Sequence, residues 1–123
     1  MSFGVWEGLT RAEVREQYPK LFQARMTDST AHPIPQGEEP VQVVQRFLEC
    51  LEERIAQHAG GTIVVVSHGA ALRLTLASLL GIPLLRSNCL SQSNGGISEL
   101  TYDQDDSRCP WRAVTINSTA HLL

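Results

Sequence analysis

The run Thr62-Ile63-Val64-Val65-Val66-Ser67, followed at once by His68-Gly69 and an apolar stretch, constrains the fold of this chain more than any other segment. An uninterrupted β-branched run without polar alternation is the pattern of a strand buried on both faces. Ala70–Leu80 then reads as a helix, stopped by Gly81 and Pro83. Where a strand ends and a helix begins, backbone N–H groups and a positive helix end face outward together. Open α/β sheets bind ligands at such carboxyl ends. His68 sits at the junction as a donor, cation or general acid, and Gly69 lets backbone approach a ligand. The set suits a dianionic phosphate. Position alone leaves one alternative open, that His68 only caps the helix.

The remaining elements follow from local signals. Thr10-Arg11-Ala12-Glu13 matches a capping box, so a short helix is expected over Arg11–Tyr18, with a further helical turn around Lys20–Arg25. Met26 to Glu39 holds Pro33, Pro35 and Gly37 without periodicity and reads as a loop. Pro40 suits a helix start. Val41, Val44, Phe47, Leu48, Leu51 and Ile55 then recur at helical spacing until Gly60-Gly61. Ile97–Tyr102 and Ala113–Ile116 read as strands joined by a polar turn, Asp103-Gln104-Asp105-Asp106-Ser107, forming a hairpin. Helices followed by strand, helix and hairpin describe one α/β domain over residues 1–123.

Composition excludes several partners. The formal charge is −3, Lys20 is the only lysine, and no basic cluster exists, so neither nucleic acid nor an anionic membrane is expected. No apolar run is long enough to span a bilayer, and Met1–Gly8 lacks the pattern of a signal peptide. Cys50, Cys89 and Cys109 are odd in number and lack ligand spacing. They read as reduced thiols of a cytoplasmic protein. No metal, nucleotide or other cofactor is expected.

Several motifs in order resemble the histidine phosphatase superfamily, its phosphoglycerate-mutase-like branch, and within it small phosphatases such as α-ribazole phosphatase. Phe3-Gly4-Val5-Trp6-Glu7-Gly8-Leu9 is similar to that family's Phe-Gly-x-Trp-Glu-Gly, and Pro35-Gln36-Gly37-Glu38 to the Pro-x-Gly-Glu before its long helix. Val65-Val66-Ser67-His68-Gly69 with Leu72-Arg73 resembles its second-histidine motif; Asn94, Ile97-Ser98, Trp111, Asn117 and His121-Leu122 resemble its last hairpin and tail. The resemblance implies a three-layer α/β sandwich and phosphoryl transfer from a small phosphorylated metabolite through a phosphohistidine. His68 would be the catalytic second histidine, with His68 and Gly69 binding phosphate. Phe3, Trp6, Glu7 and Ala70 would lie near the substrate mouth. The alternative for Trp6 and Glu7 is a packed indole and a solvated acid.

The family's nucleophile lies in an Arg-His-Gly at the end of its first strand, and no Arg-His-Gly occurs here. The expectation is therefore a truncated domain missing that first central strand, inactive alone. Losing a central strand forfeits roughly 1.5–3 kcal/mol per buried aliphatic side chain, so the sheet is expected to be completed by a second copy, an N-terminal segment or a rearrangement. Glu39 stands where the family usually has serine, which weakens the following helix cap. Besides the enzyme, two readings remain: a non-catalytic anion-binding remnant, and an acyl hydrolase using Ser67. The latter lacks the first glycine of a nucleophile elbow, a place held by Val65.

Overall fold

The computed structural model describes residues 1–123 and divides into two compact units, Met1–Val64 and Val65–Leu123. The first holds a 3-10 turn at Gly4–Trp6 and three helices, α1 (Arg11–Gln17), α2 (Pro19–Thr27) and α3 (Pro40–Gln57). The capping box forms as expected. Thr10 N–H donates to Glu13 Oε2 at 2.7 Å, and Glu13 N–H to Thr10 Oγ1 at 3.3 Å. α2 is longer than the turn read from sequence. Pro19 starts it, and Asp28 stops it by turning its carboxylate onto the Thr30 N–H, Thr30 hydroxyl and Ala31 N–H. At α3, Gln42 compensates for Glu39 by accepting the Glu39 N–H at 2.8 Å. Val14, Ile34, Pro40, Val43 and Val44 are buried.

The opening residues strap the Pro-Gln-Gly-Glu loop. Val5 N–H donates to the Pro35 carbonyl at 3.1 Å and Glu38 N–H to the Ser2 carbonyl at 3.0 Å. This approach needs Gly4. Its φ is +51°, and a Cβ there would overlap the Pro35 carbonyl oxygen and the Gly37 nitrogen. Glu38 closes the strap by accepting from Ser2 N–H and, through two hydrogen bonds, from Arg46. Burial pushes the Glu38 carboxyl up, but the Arg46 and Ser2 hydrogen bonds outweigh it and hold the group below its ordinary 4.5.

The second unit contains α4 (Gly69–Leu79), a 3-10 segment (Leu84–Cys89), and an antiparallel hairpin of β1 (Ile97–Tyr102) and β2 (Trp111–Ser118). Ala71, Leu74, Thr75, Leu76 and Ala77 form the buried side of α4. Tyr102 pairs with Trp111, their rings 4.8 Å apart. The polar turn is pinned by Asp106, which accepts Arg108 and Cys109 N–H and pairs with Arg112 at 2.6 Å. At the other end Asn117 adopts φ +53°, accepts Ser93 N–H at 2.8 Å and donates its own N–H to Ser98 at 3.0 Å. A Cβ on Gly96 would overlap the Asn117 side-chain amide oxygen that accepts from Ser93, so glycine suits this position.

One expectation fails. Thr62–Ser67 is not a strand and is not buried. It has no regular hydrogen-bonding partner, and Val64 and Val66 are 84% and 91% exposed. The side-chain pattern is that of a central strand, but a strand exists only against a neighbour. The sheet formed is the two-stranded hairpin alone.

Two outcomes are predicted. Gly4→Ala lowers unfolding stability by at least about 2 kcal/mol in a denaturant titration, through left-handed strain plus overlap. Glu38→Gln costs about 1 kcal/mol near neutral pH. Because the Glu38 pKa is lowered on folding, its contribution is present above 4.5 and disappears as pH falls through the lowered value. The variant and parent therefore converge in stability in acid.

Candidate phosphate site

α4 arises from the apolar spacing after Gly69 and begins directly at His68. His68 is extended, φ −101° and ψ 151°, and its side chain makes no capping hydrogen bond. Only its carbonyl joins the helix, accepting Leu72 N–H at 2.9 Å. The imidazole is therefore left free, and the residue is exposed. The amides of Gly69, Ala70 and Ala71 have no backbone acceptor, as the first turn of a helix dictates. No acidic residue lies in that turn. An unneutralised helix end beside a free histidine favours an anion.

The structure thus brings His68, Gly69 and Ala70 together at the start of α4. Gly69 is not demanded by packing: a Cβ there would meet only Gln92, at an ordinary 3.8 Å from Cγ. Gln92 is the residue that sequence reading missed. It lies in an irregular loop with no periodic signal, yet flanks Gly69, and its side-chain amide oxygen Oε1 is buried without a partner. Arg73 Nε, one turn into α4, is likewise buried and unpaired.

Phe3, Trp6 and Glu7 lie in the first unit. Phe3 is exposed. Trp6 is half-buried, with its ring 6.3 Å from that of Phe22 and beneath the Arg25 guanidinium at 5.5 Å. Arg25 in turn donates to the Ser29 and His32 carbonyls. Burial lowers the Arg25 pKa. The Glu7 carboxylate accepts the Ser2 hydroxyl at 2.8 Å and Phe3 N–H at 2.9 Å. Those bonds hold its pKa below the ordinary carboxylate value, the Ser2 hydroxyl contributing most. Glu7 is therefore ionised at neutral pH and occupied in closing its own turn.

Residues 1–118 match the histidine phosphatase superfamily (branch 1). The chain belongs to this superfamily. Phosphoserine phosphatase 1 of Hydrogenobacter thermophilus is 29% identical over 119 residues, which cover 97% of this chain and 54% of the relative. The probable phosphoglycerate mutase GpmB of Serratia proteamaculans is 32% identical over 93 residues, covering 75% and 41%. The structure of mycobacterial glucosyl-3-phosphoglycerate phosphatase with inorganic phosphate aligns at TM-score 0.78 and 28% identity, over 96% of this chain and 60% of that one. Bacillus stearothermophilus YhfR aligns at TM-score 0.89 over 99% and 59%, at 23% identity, which speaks to the fold. The expected phosphoglycerate-mutase-like α/β fold class therefore holds. This histidine phosphatase chain spans about half the length of the curated relatives it matches.

Gly69→Ala separates a packing role from a ligand role. The expected change in thermal unfolding stability is within about 0.5 kcal/mol, because the structure has room for the methyl group.

Proposed function

We propose that this chain carries the second-histidine half of a phosphomonoester hydrolase site. The observation that carries it is the free, uncapped His68 imidazole beside three unpaired amides at the start of α4. In this reading a phosphoryl group sits against the Gly69–Ala71 amides, with His68 donating to a phosphoryl oxygen as charge accumulates in the transition state. A histidine nucleophile on the opposite side attacks phosphorus while the ester oxygen departs with a proton. Water then attacks the phosphohistidine and releases inorganic phosphate. The membership of the superfamily and the phosphatase and mutase names of the relatives support this reaction type. They also support a small phosphorylated metabolite as substrate.

The sequence contains no Arg-His-Gly, and none of His32, His58 and His121 stands at the start of an α-helix as His68 does. The chain alone is therefore inactive, and a segment bearing Arg-His-Gly supplies the nucleophile. Ala70, beside Gly69 at the start of α4, then borders the mouth for the ester group. The three free cysteines support a cytoplasmic setting.

The test is hydrolysis of p-nitrophenyl phosphate by the chain, with and without a superfamily N-terminal segment containing Arg-His-Gly. The chain alone should match its His68→Ala variant, since loss of a nucleophile costs on the order of a millionfold. With the segment, turnover should appear, and His68→Ala should reduce kcat by about 10²–10³. Turnover by the chain alone that depends on His68 would refute the missing-nucleophile reading. Turnover of the complemented protein that ignores His68→Ala would refute the site. Phosphate binding without turnover, with the segment bound, would favour the anion-binding remnant.

A further inference from the structure

Gln92 packs across the first residue of α4. A Cβ on Gly69 would lie 3.8 Å from Gln92 Cγ and 3.9 Å from Gln92 Cβ, and beyond its chain neighbours and its own helix nothing else comes within 4 Å. The glutamine side chain thus runs over a position that carries no side chain of its own, within the second unit. Its amide oxygen Oε1 is buried and accepts no hydrogen bond, a state that native proteins keep rare. Its nitrogen Nε2 is absent from the buried unpaired groups and is the end of the amide that reaches the surface of this half-buried residue. The loop holds Gln92 in place through its neighbours. Leu90 N–H donates to the Ser87 carbonyl. Asn117 accepts Ser93 N–H at 2.8 Å and donates from Nδ2 to Ser93 Oγ at 3.3 Å, and Gly96 N–H closes a turn on the Ser93 carbonyl at 3.0 Å. Gln92 is fixed while its own polar groups stay unpaired.

We propose that Gln92 is a further phosphate-binding residue, its Nε2 donating to an oxygen of the phosphoryl group held at the Gly69, Ala70 and Ala71 amides. The inference rests on the phosphate reading of that helix start and adds a donor from a separate loop. The direction of the amide matters. The oxygens of a phosphate dianion only accept, so the end of the amide that faces them must be the one with two N–H donors. Oε1 is the end turned inward, which keeps its lone pairs away from the anion. The reverse orientation would bury the donors and set an acceptor against phosphate. A neutral amide also strengthens the site without a second fixed charge beside the imidazole. Gly69 fits this role, because a side chain there larger than a methyl group would fill the path that Gln92 takes to the helix start.

Titration of the chain with inorganic phosphate, read on the side-chain amide signals of Gln92 by nuclear magnetic resonance, tests the role. Those signals, assigned by through-bond correlation, should move with the same midpoint as the Gly69 backbone amide. Gln92→Leu should raise the phosphate Kd about tenfold, since a hydrogen bond to a charged group is lost. Gln92→Glu, of nearly the same shape, should raise it further by setting a carboxylate against the anion. Saturation at Gly69, Ala70 and Ala71 that depends on His68, with still Gln92 signals and an unchanged midpoint in Gln92→Leu, would overturn the role of Gln92 and leave the site standing. No saturable shift at those amides in the parent chain would overturn the site and this inference together. Should Gln92→Leu fail to fold, Gln92 signals that stay still in the parent while the Gly69 amide saturates would overturn the proposal on their own.

Discussion

Backbone hydrogen bonding at the entrance to α4 governs this molecule. Residues 62–67 have the composition of a sheet's centre, and the helix that follows depends on their path only through His68. No neighbouring strand pairs with them, and Val64, Val65 and Val66 are exposed in a stretch without regular structure. The helix forms regardless, since its apolar face and its i to i+4 bonds are local. The site therefore persists on a helix terminus whose supporting sheet is absent from the chain's own pairing. The proposed phosphate site rests on the start of α4, and the sheet formed is the β1–β2 hairpin.

The two units owe their local order to a few polar clasps. In the first, Ser2, Glu38 and Arg46 hold the opening turn against the Pro-Gln-Gly-Glu loop, and Gly4 makes the close approach possible. In the second, Asn117 ties the end of β2 to the loop carrying Ser93, adjacent in sequence to Gln92 beside Gly69. Each clasp connects a motif of the superfamily to a loop that borders a candidate site residue. The motifs thus have a structural reason that does not depend on catalysis.

Signals that act within a turn or two of the chain were legible in the sequence. The capping box at Thr10, the long helix α3, the helix read over Ala70–Leu80 and the hairpin read from Ile97–Tyr102 and Ala113–Ile116 all form, the helix as Gly69–Leu79 and the second strand longer, as Trp111–Ser118. α2 was under-read because its end is set by an Asp28 side-chain turn that no periodicity marks. The strand at Thr62 was misread for a non-local reason: hydrophobicity specifies a buried environment, and only a partner supplies it. In the candidate site, His68 and its free helix end were legible from the strand-like run meeting a helix. Gln92 was not, because loop residues come together through chain path rather than pattern.

The most direct test of the phosphate half-site is a titration with inorganic phosphate followed by amide nuclear magnetic resonance. The account predicts saturable shifts centred on the Gly69, Ala70 and Ala71 amides and the His68 ring, lost in His68→Ala and weakened by salt. Shifts centred elsewhere, or an unchanged response in His68→Ala, would contradict it.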